Sequence, residues 1–264
     1  MTKRVQLSFI VAVILSLQAG AAEDQKRERK RNDGRDTATE ANTKETPRKK
    51  ATRTGKSFPV MTPELAKSPL PKVLIIGDSI SIGYISHVER ALEGKAIVVH
   101  NEGNAKGSGW GRSQIDEWLG DYKWDVIHFN WGLWDLVFKK TTREQKLAGE
   151  TGGGYLTPID RYESNLEYLV TRLKQTEASL IWASTTVVPE GEPARRVGDD
   201  IRYNAVAARV MAKHEIPIND LHALTTGFDQ SHFRKPGDVH YKATGSAKLG
   251  EQVTKHISAA LMAR

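Results

Sequence analysis

The chain contains no cysteine. That excludes disulfides, thiol nucleophiles and thiolate metal sites, and it leaves Ser, Thr, Asp, Lys and Tyr as candidate nucleophiles. It also lacks any unbroken apolar run of the roughly 20 residues needed to span a bilayer. The nearest approach is Val5 to Leu17, interrupted by Gln6 and Ser8, preceded by Lys3 and Arg4 and followed by Ala19, Gly20, Ala21 and Ala22. A basic start, a short apolar run and small residues form the order of a secretory signal peptide. Residues 1–22 are therefore expected to be removed near Ala21 or Ala22. The rest would be secreted or periplasmic, with no membrane span; the other reading, a membrane anchor, would need a longer apolar run.

Large apolar residues are almost missing from Glu23 to Ser57, so this stretch cannot bury enough surface to offset its ordering entropy. Residues 23–58 read as a basic, disordered linker. Residues 1–58 hold 14 of the 39 Lys and Arg but only 7 of the 32 Asp and Glu, leaving 25 of each sign beyond them. The formal net charge of +7 thus belongs to the signal and linker, and nothing in the remainder calls for a specific nucleic-acid partner. Residues 59–264 are long enough for one α/β domain with a single core.

Within that domain, short runs of strand length and β-branched composition alternate with longer amphipathic stretches. Strands are predicted at Val73–Ile76, Ile97–His100, Val126–Asn130, Leu180–Ser184 and Ile216–Ile218, and helices at Ile82–Leu92, Ser113–Leu119, Ile159–Thr176, Asp200–His214 and Thr244–Met262. Pro158 suits the first turn of a helix, and Asp199 or Asp200 can cap the next. Alternation of this kind gives βαβ units and a mostly parallel five-stranded sheet between two helical layers, a three-layer α/β/α fold. Lys139 to Thr157, with Gly152, Gly153 and Gly154, fits no element; it is either a surface insertion or a flap beside the site.

Ligands of such sheets bind beyond the carboxyl ends of the strands, and four segments there carry chemistry. Gly77-Asp78-Ser79-Ile80 sets a hydroxyl at a strand-to-helix turn where backbone N–H groups point outward, suiting a nucleophile with its oxyanion, although Ser before a helix also serves as an N-cap. Asn101 to Gly109 contains three glycines that let amides approach a ligand. Asn130-Trp131-Gly132-Leu133-Trp134-Asp135 offers an amide and two indoles, for stacking on a sugar or for core packing. Lys235 to His240 places Asp238 and His240 two apart, an acid able to orient a base; an Asp cap beside a structural His has the same appearance. His232 is a second candidate base. His214 and His222 are weaker ones, Asp199, Asp200 and Asp220 read as caps or strand ends, and no His/Asp spacing suits a metal.

In order and placement the four segments resemble the blocks of the SGNH (GDSL-like) hydrolase family, from about Val73 to the C-terminus. The resemblance implies a flavodoxin-like SGNH fold and an esterase needing no metal or cofactor. Ser79 would attack an ester carbonyl, His240 would take its proton, Asp238 would orient His240, and the Ser79 and Gly107 N–H groups would hold the oxyanion. Two departures stand out. Trp134 occupies the place of the family's asparagine donor, for which Asn130 is a substitute, and Gly237 occupies the place of the family's Asp, so Asp238 must serve from two residues before the base. An exported glycan or small-molecule ester is the expected substrate, deacetylation of an extracellular carbohydrate being favoured by Trp110, Trp131 and Trp134. The alternatives are a catalytically silent carbohydrate-binding domain and an acyltransferase using the same serine. Oligomeric state is not encoded in these motifs.

Overall fold

The structure, a computed structural model, describes residues 59–139 and 153–264. The expected signal peptide and linker (1–58) and most of the glycine-bearing insertion, Gly152 included, lie outside the described residues.

Five parallel strands, β1 (Lys72–Ile76), β2 (Ile97–His100), β3 (Val126–Phe129), β6 (Ser179–Ala183) and β7 (Ile218–Asn219), form one sheet in the order β2-β1-β3-β6-β7. Nearly all of their residues are buried, as the continuous Val/Ile/Leu runs require of a sheet covered on both faces. The helices, in chain order, are α1 (Pro63–Ala66), α2 (Ser79–Ala91), α3 (Ser108–Leu119), α4 (Ile159–Lys174), α5 (Asp199–Lys213), α6 (Leu221–Thr226) and α7 (Ala243–Met262).

From β1 the chain steps to one edge of the sheet and then reverses past β1 to β3. Right-handed crossovers make that reversal a change of face. Accordingly α2 packs with α7, whereas α3, α4 and α5 pack in series. The point of reversal, between β1 and β3, is where the carboxyl ends of the strands open a crevice, and Val73↔Val126 through Ile76↔Phe129 bring the two strands to a common end there.

The predicted strands and helices recur with shifted ends, the short helices α1 and α6 were not expected, and further features differ. Helix α3 begins at Ser108, five residues early; Gly109 and Gly111 disguise its first turn as loop, but Asp135 holds its N-terminus from 27 residues away. The last strand is displaced to Ile218–Asn219 because Pro217 has no N–H for the ladder; its carbonyl still accepts from Trp182. The segment assigned to no element has paired ends: β4 (Phe138–Lys139) and β5 (Gly154–Tyr155) form an antiparallel hairpin with Phe138 and Tyr155 edge to face at 5.2 Å. Two-residue strands are too short to show a period. At the other helix starts, Gly198, in a left-handed conformation, is the N-cap residue of α5 in place of Asp199 or Asp200, and Pro158 is the residue before α4. No helix among the described residues is long and apolar enough to cross a membrane.

Helices α2 and α7 approach closely. A Cβ at Gly250 would lie 2.6 Å from the His87 Cβ and 3.3 Å from the Tyr84 carbonyl. Both helices start at the crevice, one at Ser79 and the other three residues after His240. Gly250→Val should force them apart and destabilise the fold by about 1–3 kcal/mol. Urea unfolding reads this as a lower midpoint at unchanged slope; an unaltered midpoint would mean that the contact does not set the spacing.

Candidate active site

At the end of β1 the chain turns into α2, and the residue that caps the helix is Asp78. Its Oδ1 accepts from the Ile80 N–H at 2.9 Å. Ser79 is therefore the first helical residue, and its hydroxyl is not consumed in capping. Ser79 Oγ lies 2.9 Å from His240 Nε2, and His240 Nδ1 lies 2.6 Å from Asp238 Oδ1. A carboxylate only accepts, so the proton of the neutral imidazole sits on Nδ1 and Nε2 is left to accept from Ser79. Asp238 Oδ1 also accepts the His240 backbone N–H at 3.0 Å, which locks acid and base into one short turn. Burial pushes the Asp238 carboxyl up, but the hydrogen bonds from the His240 backbone and ring outweigh it and hold the group below the usual carboxylate range. It stays ionised wherever a neutral imidazole can work.

The shift of the acid by one residue has a steric cause. Gly237 has φ of 71°, in the left-handed region, and a Cβ there would lie 2.6 Å from the Gly191 carbonyl oxygen. No side chain fits three residues before His240, so the carboxylate comes from Asp238.

Facing Ser79, Gly107 is the N-cap residue of α3, and Ala105 N–H donates to the Gly77 carbonyl at 2.9 Å, laying this loop along the Ser79 turn. Among the described residues neither the Ser79 nor the Gly107 N–H has a hydrogen-bond acceptor. The start of α3 is fixed by Asp135, whose Oδ1 accepts from Ser108 N at 2.8 Å and from Ser108 Oγ at 2.6 Å. Asn165 donates to the same Ser108 hydroxyl, and Arg112 donates to Asn165. Asn130 donates one amide proton to the Ala183 carbonyl at 2.7 Å across the ends of β3 and β6, and it shares a small cavity with Asp78, Ser81, Ser184 and Thr186. Trp131 is buried in the core and offers no surface to a sugar, while Trp134 is partly exposed and Trp110 is 43% exposed.

The other candidates are engaged elsewhere. His232 stacks on Phe228 and pairs with Asp229, His214 pairs with Glu167, and His222 pairs with Asp200. Asp220 caps α6. No cluster of three or more His, Asp or Glu suited to a metal occurs among the described residues.

Three participants were not singled out from the sequence. Asp135 was noted only as the end of a segment, and nothing local shows that it braces Ser108. Asn101 Oδ1 accepts the Gly77 N–H at 2.9 Å, tying the ends of β1 and β2 together beside Ser79. Arg195 donates to the Leu133 carbonyl at 2.6 Å and pairs with Glu192 at 2.8 Å, both side chains largely buried. Burial raises Asp78 above the ordinary carboxylate range, against the Ile80 N–H and the nearby charge of Arg195.

No family model and no curated protein sequence matches the chain. Solved structures do. A lipase/acylhydrolase from Enterococcus faecalis is 18% identical with a TM-score of 0.57, the match covering 72% of this chain and 96% of that one. An acetyl xylan esterase from Geobacillus stearothermophilus is 19% identical at TM-score 0.54, over 71% and 94%. A GDSL-like lipase candidate from Parabacteroides merdae is 14% identical at TM-score 0.56, over 70% and 94%. At these identities the likeness is one of fold, and the fold is that of the SGNH hydrolases.

Burial pushes Asp135 up to about 6, against the hydrogen bonds it accepts from Ser108 and Thr157. The folded state then holds this proton more tightly than the unfolded chain, so the group's contribution is greatest below about pH 4 and is lost as pH rises through about 6. Asp135→Asn removes that loss. Its melting temperature should gain on wild type between pH 4 and 7, and a constant difference across the range would show that Asp135 is ionised throughout.

Proposed function

We propose that this chain, which has the fold of the SGNH hydrolases, is a serine ester hydrolase working through an acyl-enzyme. One observation carries the reading: Ser79, His240 and Asp238 form a continuous hydrogen-bonded chain of 2.9 and 2.6 Å at the carboxyl end of the sheet. Ser79 Oγ bonds to the acyl carbon while its proton passes to His240 Nε2. The carbonyl electrons move onto oxygen, which the Ser79 and Gly107 N–H groups receive, with the second amide proton of Asn130 as third donor in place of the asparagine that Trp134 replaces. Collapse breaks the bond to the alcohol, which leaves with the proton from His240. Water repeats the sequence on the acyl-enzyme, releasing the acid and restoring Ser79. Asp238 keeps the imidazole in the productive tautomer throughout.

An acylated carbohydrate outside the cell is the substrate we favour. The exposed indole of Trp110 near the Gly107 loop supports this, as does a shared fold with an acetyl xylan esterase. The leader-like start of the chain supports export. A purely binding role would leave the Ser79–His240–Asp238 alignment without a purpose, and acyl transfer would use the same acyl-enzyme with a different acceptor.

Hydrolysis of p-nitrophenyl acetate by the full chain tests the mechanism. Ser79→Ala and His240→Ala should each lower kcat/KM by at least about 10³-fold, Asn130→Ala should lower kcat by about 10²-fold, and a chelator should change nothing. Equal rates in wild type and Ser79→Ala would remove the serine from the chemistry.

A further inference from the structure

Behind the Ser79 turn lies a buried serine–histidine pair that plays no part in the hydrolysis scheme above. Ser81, in the first turn of α2, places its Oγ 2.7 Å from His100 Nε2 and 2.7 Å from the Asp78 carbonyl oxygen. His100, the last residue of β2, places its Nδ1 2.8 Å from the Asn101 carbonyl. Ser81 is 3% exposed and His100 1%. A Cβ at Gly77 would lie 2.6 Å from Ser81 Oγ, so the hydroxyl is packed against the Gly77 backbone. A serine hydroxyl that bonds to the carbonyl three residues earlier is an ordinary feature of helices. This one differs in the peptide it meets. The Asp78 carbonyl and the Ser79 N–H belong to one amide plane, and that N–H is a proposed oxyanion donor.

Both ends of this relay are carbonyls, which only accept, so three full hydrogen bonds would need three protons. A neutral imidazole and a hydroxyl supply two. Burial pushes His100 down to about 4, against the bond its ring makes to the Asn101 carbonyl, so the ring is neutral at neutral pH. Its proton sits on Nδ1, because two lone pairs would otherwise face each other at 2.8 Å. The single Ser81 proton then has two acceptors at equal distance, His100 Nε2 and the Asp78 carbonyl. As negative charge gathers at the Ser79 N–H, electron density moves along the amide onto the Asp78 oxygen, which draws that proton to itself. The bond is then stronger in the transition state than in the resting enzyme, the condition for raising kcat. The same histidine is tied to the other side of the turn, since Asn101, whose carbonyl it holds, accepts the Gly77 N–H through Oδ1 at 2.9 Å.

We propose that Ser81 and His100 are positioning residues for the oxyanion site: Ser81 shares its proton between His100 and the Asp78 carbonyl and strengthens the Ser79 N–H as a donor when the oxyanion forms. The inference rests on the serine-hydrolase reading and adds to it two residues that touch no substrate.

NMR of the full chain tests the relay without turnover, and p-nitrophenyl acetate kinetics tests its effect. In wild type, His100 should carry its proton on Nδ1, with Nε2 a hydrogen-bonded acceptor. In Ser81→Ala the Nε2 resonance should move to that of an unbonded ring nitrogen, and the Ser79 amide proton should shift upfield. The same variant should lower kcat about tenfold, less than the loss of a donor in direct contact, with KM within about twofold and the midpoint of the pH profile unchanged because His240 and Asp238 are untouched. Ser81→Thr, which keeps the hydroxyl, should recover both signals and rate. Ser81→Cys, which fills the same space with a weak donor, should behave like Ser81→Ala, whereas a packing role would let it pass as wild type. A His100 proton on Nε2, or full kcat in Ser81→Ala, would overturn the proposal. The NMR signature in a chain that hydrolyses no ester would support the relay and count against the serine reading alone; hydrolysis indifferent to Ser81→Ala would count against this inference alone.

Discussion

Asp78 Oδ1 accepts the Ile80 N–H at 2.9 Å, and what the Ser79 hydroxyl is free to do depends on that capping bond. A serine at the start of a helix ordinarily satisfies the helix's own donors. Here the preceding carboxylate does so, buried and raised above its usual range by desolvation. Ser79 is left with its hydroxyl toward His240 and its backbone N–H toward the crevice. Helix α2 then carries this arrangement against α7, whose first turn follows His240 by three residues, so one helix pair spaces nucleophile and base.

A second set of contacts converges on the loop between β6 and α5. Gly191 meets Gly237 and leaves Asp238 as the nearest residue able to orient His240. Arg195, balanced by Glu192, grips the Leu133 carbonyl, and the Ala194 carbonyl accepts from Phe138. One loop therefore supports both the acid-base turn and the segment that follows β3. Asp135 extends the same segment to Ser108 and through it to the Gly107 N–H. The proposed oxyanion donors and the proton relay are thus tied to a shared frame, as catalysis by preorganised dipoles requires.

Much of this was legible in the sequence, and what was not has a common cause. Buried parallel strands advertise themselves as β-branched runs, so Ile97–His100 is found where it was expected, and the segments just beyond the first three strands, with the loop before the last helix, were marked as carrying the chemistry. Ser79, His240 and Asp238, taken from segments far apart in the chain, lie within hydrogen-bond distance of one another. Helix α3 was read too short because its first turn contains two glycines and is held by a carboxylate 27 positions away. The hairpin of Phe138 and Tyr155, the bond from Arg195 to the Leu133 carbonyl and the reason for Gly237 all depend on pairings between distant residues, which local periodicity does not register. Trp131, one of three indoles offered for sugar binding, packs in the core, because residues just past a buried strand can turn inward as easily as outward.

The central claim is that Ser79 is a nucleophile activated by His240. A fluorophosphonate that forms a stable bond only with an activated serine tests it directly, with the site of attachment read by mass spectrometry of the full chain. The account predicts a single adduct on the peptide containing Ser79, absent in Ser79→Ala and slowed by at least about 10²-fold in His240→Ala. An unmodified chain, or an adduct formed equally fast without His240, would contradict it.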